Sequence, residues 1–421
     1  MLFSRLSDLS GEELLRIMKR SRADLKKVIP QVEEIVRDVR ERGDAALREY
    51  TKKFDGVELE DFRVSAEEFK EARSNAETKV VKALKKAKEN LEEFHSRQLK
   101  KDWFYKKNGA RLGQIFRPIE KVGCYIPGGR AAYPSTVLMT VIPARVAGVE
   151  KVICTTPPRR DGKANQTVLV ACDIAGVDEV YKVGGPQGIA AMAYGTESIP
   201  KVDKIIGPGN IYVLAAKKLV SDDVAIEFPA GPSEVLIIAD SSADPTFVAL
   251  DMIAQAEHDP QASSILITPS TTLAEKVRDI IEKEAKRPEA AESLENNGAI
   301  LITETLEDAV RFSNEYSPEH LQILTQNNEI LAKVVNAGSI FIGNYTPVAC
   351  GDYASGTNHV LPTGGFARVY SGLNVYDFLK IISVQEFSEK GLKKLAETII
   401  TLAEAEGLHA HAESVRRRVK L

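Results

Sequence analysis

Apolar residues in the first hundred positions recur every three to four places. Val80, Ala83, Leu84, Ala87, Leu91 and Phe94 share one face, with Lys and Glu on the other, the pattern of an amphipathic helix lying on a core. The whole stretch reads as helix, and His95, in its charged run, is expected at the surface. From Val122 the pattern changes to short apolar runs separated by Gly-rich turns. Runs at 152–155, 180–183 and 204–206 predict buried strands, followed by helical patterns such as 188–194 and 211–219. A second series follows at 235–239, 265–268, 299–303 and 339–342. Strands alternating with helices form parallel sheets covered on both faces. The expected class is therefore α/β with two domains, the smaller (125–232) inserted in the larger. After about residue 374 the pattern is helical again. Leu392, Leu395, Ile399 and Leu402 make a stripe, which Gly407 breaks before a last short helix.

Length agrees with two domains, since 421 residues exceed the size at which a single core stops growing. A formal net charge of −4 leaves no basic excess to neutralise phosphates, which argues against nucleic-acid binding. Arg416, Arg417, Arg418 and Lys420 suit a helix C-terminus instead. Cys124, Cys154, Cys172 and Cys350 form no CxxC pair, so reduced thiols and a cytoplasmic setting are expected. Residues 1–20 carry charges throughout, and the best apolar run, 137–149, is broken by Pro143 and Arg145. No export signal or membrane span is expected.

Five of the six histidines, His258, His320, His359, His409 and His411, fall late in the chain in segments that read as loops or helix ends. Asp244-Pro245 starts a helix ending near Gln255-Ala-Glu-His258. Three-residue spacing puts Gln255 and His258 on one face, where an amide oxygen and an imidazole could hold zinc; the same residues also read as a polar helix end. Ser317-Pro-Glu319-His320 sets two groups of different pKa side by side, useful where protons move more than once, though a solvated turn has the same signature. Gly351 to His359 is a dense polar loop with Asp352 as a hard ligand. Gly207-Pro-Gly-Asn210 and Gly184-Gly-Pro-Gln187 are strand-to-helix turns of the kind that receive phosphate on free N–H groups, or plain turns. The Rossmann fingerprint GxGxxG is absent.

Six segments, in order and spacing, resemble histidinol dehydrogenase: VGCYIPGGRAAYPSTVLMTVIPA from Val122, IIGPGNIYV from Ile205, AGPSEVLIIAD from Ala230, AQAEHDP from Ala254, YSPEHLQI from Tyr316 and GDYASGTNHVLPT from Gly351. The resemblance implies two incomplete Rossmann-like parallel-sheet domains with helical N- and C-terminal segments. The divisions would be an arm over 1–20, a substrate and zinc domain over 21–124 and 233–373, an NAD domain over 125–232, and an arm over 374–421 reaching a partner subunit. It implies a homodimer with a shared site, NAD as cofactor, and one Zn2+ per subunit held by Gln255, His258, Asp352 and, from the other subunit, His411. His409 could reach equally well on local grounds. Ser233, Glu319, His320, His359 and the neighbour's Glu406 would contact substrate beside the metal ligands. Tyr125, Gln187 and Asn210 would hold NAD.

The implied reaction is a four-electron oxidation of L-histidinol to L-histidine through the aldehyde, the final steps of histidine biosynthesis. His320 would accept the alcohol proton, and Glu319 would activate the water that hydrates the aldehyde. Zinc would anchor the substrate's nitrogens between the two hydride transfers. The rivals are an aldehyde dehydrogenase with Cys124 or Cys350 as nucleophile, a zinc hydrolase using Glu319 as base, and a non-catalytic metal-dependent scaffold.

Overall fold

The computed structural model describes residues 1–19, 25–128, 132–228 and 231–420. The chain opens on a strand, β1 (Leu2–Arg5), before the N-terminal helices. After these come β2 (Trp103–Lys107) and β3 (Ala110–Pro118). Next are β4 (Lys121–Tyr125), β5 (Lys151–Thr156), β6 (Glu179–Lys182), β7 (Lys204–Ile206) and β8 (Ala225–Ile226). The series continues with β9 (Glu234–Ala239), β10 (Ser263–Thr268), β11 (Gly298–Ile302), β12 (His320–Leu324) and β13 (Ser339–Ile342). A final strand, β14 (Leu379–Phe387), precedes the terminal helices.

Among the described residues these strands make three sheets. One is parallel, in the order β6-β5-β4-β7-β8, and a second is parallel, in the order β1-β11-β10-β9-β12-β13. The second sheet starts with residues 2–5 and resumes at Glu234, so the first is an insertion within it. Both are α/β layers, as the alternating pattern predicts. The runs β9, β10 and β11 are buried along their whole length, because helices cover both faces. Helices begin where a cap is available: Asp244 accepts the Thr246 N–H at 2.7 Å with Pro245 in the first turn, and Thr305 with Asp308 forms a capping box.

Three expectations are corrected. Residues 1–20 are not simply a helical arm, since Leu2–Arg5 pairs in register with β11; the 20/21 boundary lies outside the described residues. The segment after 374 is not all helical. β14 pairs antiparallel with β3, which pairs with β2 in a third sheet. These strands carry mixed and largely exposed side chains, so no buried apolar run marks them. Finally, the Leu25–Arg42 and Asp44–Asp55 helices do not join the 233–373 unit. Val32, Ile35, Val36, Val39 and Leu47 close a core with Ile189, Met192 and Val213 of the first sheet's helices. Periodicity showed which face was buried but not against what. Within the described residues no helix is long and apolar enough to cross a membrane.

Candidate active site

The second sheet changes winding direction between β9 and β12, where neighbouring strands carry the chain away on opposite sides. Polar residues gather at the amino ends of these two strands. Ser233 and Glu234 enter β9, and Glu319 and His320 enter β12, with His320 opposite Val235. The Ser317 backbone at φ 52° turns the chain sharply out of the Leu306–Tyr316 helix into the strand. This segment is therefore not a solvated turn: Glu319 is 5% and His320 3% exposed.

A hydrogen-bond lattice orients the pair. Glu319 Oε2 accepts from Ser233 Oγ at 2.6 Å and from the Glu234 N–H at 2.7 Å, and the Glu319 N–H donates to Glu234 Oε1 at 3.1 Å. His320 Nδ1 lies 3.0 Å from the Glu234 carbonyl oxygen. A carbonyl can only accept, so Nδ1 carries the proton and Nε2 presents its lone pair. That Nε2 is buried without a hydrogen-bond partner and lies 3.8 Å from Asp352 Oδ1. Burial lowers the pKa of His320, against the opposing pull of Asp352, which favours the neutral imidazole.

The polar loop supplies the opposite wall. His359 Nδ1–H donates to the Asp352 carbonyl at 2.8 Å, and its Nε2 lies 3.5 Å from Thr136 Oγ1. Burial lowers its pKa too; Asp352 opposes this, while His320 and His258 push the same way, which puts all four groups within electrostatic reach. His258 stands two residues past the Pro245–Ala256 helix, its N–H on the Gln255 carbonyl at 3.3 Å. The expectation of a shared helix face is thus corrected: Gln255 is in the helix and 2% exposed, whereas His258 lies beyond its end and is exposed. Both amide atoms of Gln255 are buried with no partner.

Thr136 belongs to the first turn of the Pro134–Ala147 helix, which follows β4. The carboxyl end of the first sheet therefore meets the amino end of the second at this pocket. At the first sheet's end, Tyr125 closes β4 and its hydroxyl oxygen accepts the Gly185 N–H at 3.1 Å; burial pushes its pKa up to about 12. Gly185 has φ +60°, and a Cβ there would stand 2.5 Å from Gln187 Oε1. Gln187 is 1% exposed, and that oxygen has no partner. The Gly207–Asn210 turn is less open than expected. Asn210 Oδ1 caps the next helix by accepting from the Tyr212 and Val213 N–H groups, and the Gly207 N–H goes to Glu227 at 3.0 Å. Glu227 also forms a buried ion pair with Lys217 beneath the turn.

Glu406, just past the Glu389–Ala405 helix, and His411, in the His409–Val419 helix, are exposed; these helices pack on each other and on β14 rather than on the second sheet. Within one chain they are not brought to the pocket. His95, expected at the surface, is fully buried, with Nδ1 2.9 Å from Gln98 Oε1 and Nε2 3.5 Å from Asn358 Nδ2, where its helix supports the polar loop. Cys124 is also fully buried, and Cys350 is half-buried. Residues 129–131 and 230, within two of the six segments named above, lie outside the described residues. Glu234 and the Lys217–Glu227 pair went unnoticed in the sequence. Glu234 carried a signal, as a charge opening the apolar run EVLIIA; the ion pair carried none.

A family model for histidinol dehydrogenase matches residues 18–419. The chain belongs to the histidinol dehydrogenase family. It is 56% identical to the histidinol dehydrogenase of Methanocaldococcus jannaschii, with 100% of this chain and 99% of that protein aligned. It is similar to the crystal structure of histidinol dehydrogenase from Elizabethkingia anophelis, at a TM-score of 0.94 and 39% identity, covering 100% of this chain and 98% of that one. An acetylating aldehyde dehydrogenase from Geobacillus thermoglucosidasius matches at a TM-score of 0.50 and 13% identity, over 89% of this chain and 94% of its own. That likeness is one of fold alone.

Proposed function

We propose that this chain catalyses the NAD-dependent, four-electron oxidation of L-histidinol to L-histidine through L-histidinaldehyde, as a cytoplasmic homodimer with one Zn2+ per subunit. The observation that carries the reading is the buried Glu319–His320 pair, oriented by Glu234 and facing Asp352 and His359 where the two sheets meet.

Zinc fits the residues present. An orphaned Gln255 amide costs about 1–3 kcal/mol unless something satisfies it, and Gln255 would serve as one of the residues holding the metal. Among the described residues no three His, Cys, Asp or Glu form a metal cluster. The set would be one Gln, one His and one Asp, Gln255, His258 and Asp352, completed by the His411 of a second subunit. Bound, NAD takes up hydride and zinc anchors the substrate's nitrogens. The protein's own side chains do the rest. His320 Nε2 accepts the hydroxyl proton, because Glu234 fixes the opposite nitrogen as the donor. Glu319, held by Ser233 and the Glu234 N–H, takes a proton from the water that adds to the aldehyde, while protonated His320 returns its proton to the carbonyl oxygen and is free to act as base in the second step. His359, fixed on the Asp352 carbonyl, contacts substrate with its Nε2 side. Exposed Trp103, Tyr105, Ile381, Leu395, Leu402 and Leu408, on the third sheet and the terminal helices, provide an apolar surface for the partner subunit.

Counting products tests the whole reading. Purified protein given histidinol and NAD should yield two NADH per histidine, and none after chelation until zinc is restored. One NADH per substrate, or unchanged activity without metal, would refute it. Glu319→Gln should slow oxidation of histidinaldehyde by about tenfold more than oxidation of histidinol, measured in separate single-turnover reactions. Equal losses in both would remove the assigned role.

A further inference from the structure

The Asp44–Asp55 helix lies along the Gly185–Tyr194 helix. It starts at that helix's far end: the Asp44 N–H donates to Glu197 at 2.8 Å, and the Ser198 N–H donates to the Asp44 carboxylate at 3.3 Å. The helices have 12 and 10 residues, so antiparallel packing carries the last residue, Asp55, to the Gly185 end. There its charge acts on the Tyr125 hydroxyl, whose oxygen accepts the Gly185 N–H. Asp55 Oδ2 is buried with no partner. Burial pushes this carboxyl up to about 6, with no cation among the described residues offsetting it. Gln187 turns its own unpartnered Oε1 back toward Gly185. Two acceptors thus stand at the positive end of a helix, and each is costly unless a ligand donates to it.

The sheet says which donor belongs there. Its order changes direction between β4 and β7, and the Gly185 helix follows the edge strand β6 on the β5 side. In doubly wound sheets the adenosine half of a dinucleotide binds on that side, and a carboxylate takes the ribose hydroxyls. We propose that Asp55 accepts hydrogen bonds from the adenosine ribose of NAD and, by its charge, rejects the 2′-phosphorylated cofactor. This rests on the reading of Tyr125 and Gln187 as NAD contacts. It also explains why an uncompensated carboxylate is kept half-buried, at a cost to stability, beside a site otherwise built from neutral groups.

The test is calorimetric titration of the full-length, zinc-loaded protein with NAD+ and NADP+, for wild type, Asp55→Asn and Asp55→Ala. Asp55→Asn should weaken NAD+ binding about tenfold or more. NADP+ should suffer less, so that the preference for NAD+ falls about tenfold, while histidinol binding stays unchanged. At pH 8 the Asn variant should melt at a higher temperature than wild type, because its amide has no charge to keep buried. Unchanged NAD+ affinity in both variants, or equal loss for both dinucleotides, overturns the role of Asp55 while leaving NAD as cofactor. A lower melting temperature in both variants along with weaker binding marks a structural role and overturns it too. Wild-type protein that binds neither dinucleotide overturns both readings.

Discussion

His320→Ala should lower the rate of both oxidation steps by about a thousandfold, while zinc content and histidinol affinity change little. In the proposed reaction each step requires a proton to leave an oxygen as hydride leaves carbon, and His320 is the base assigned to both. His320 is placed for this because the Glu234 carbonyl holds Nδ1–H at 3.0 Å and leaves Nε2 unpartnered in a buried pocket. Alanine removes that base and leaves the Glu234 carbonyl without its donor, at a cost of about 1–3 kcal/mol in stability. The fold should survive, since the β9–β12 pairing runs on through Leu324 opposite Ala239. Rapid-mixing measurements started separately from histidinol and from histidinaldehyde check this. A variant that loses one step and keeps the other would show that two bases share the work.

Asp352→Ala should strip zinc from the purified protein and lower turnover at least about a hundredfold, with partial recovery in excess zinc. The substitution isolates the carboxylate. His359 is held by the Asp352 backbone carbonyl at 2.8 Å, which alanine keeps, so that imidazole should not move. The rest of the proposed set, Gln255 and His258 with the neighbour's His411, would have lost its only anion and should bind a divalent cation weakly. Metal content by atomic absorption after dialysis, set against wild type, measures this directly. A variant retaining one zinc per subunit would remove Asp352 from the ligand set.

Much of the candidate site was legible in the sequence because its members cluster in polar, Gly-rich segments that an apolar α/β pattern does not need. Glu319-His320 and the loop from Gly351 to His359 stood out on those grounds. Their burial did not, since adjacent polar residues before a strand look the same whether they face water or a sheet junction. His95 shows the same limit: the charges around it suggested a surface, yet its own helix position faces Gln98 and Asn358. Nothing in the sequence marks Asp55, which precedes the turn glycine Gly56 at φ +72°. Only the packing of its helix against the Gly185 helix gives its carboxylate a meaning.

By itself the sequence determined the alternation of strands and helices, the presence of two α/β units, and the family. These depend on local periodicity and on ordered motifs, which survive reading one residue at a time. Tertiary structure alone decided that β1 joins the second sheet 290-odd residues downstream of its own position, at Ala299. It likewise assigned the first helices to the first sheet and formed a third sheet from three strands of mixed exposure. The pocket, too, exists only where the carboxyl end of one sheet meets the amino end of the other. Pairing partners and facing surfaces are relations between distant segments, set by which apolar faces and hydrogen-bonding edges can be satisfied together, and no single segment carries that choice.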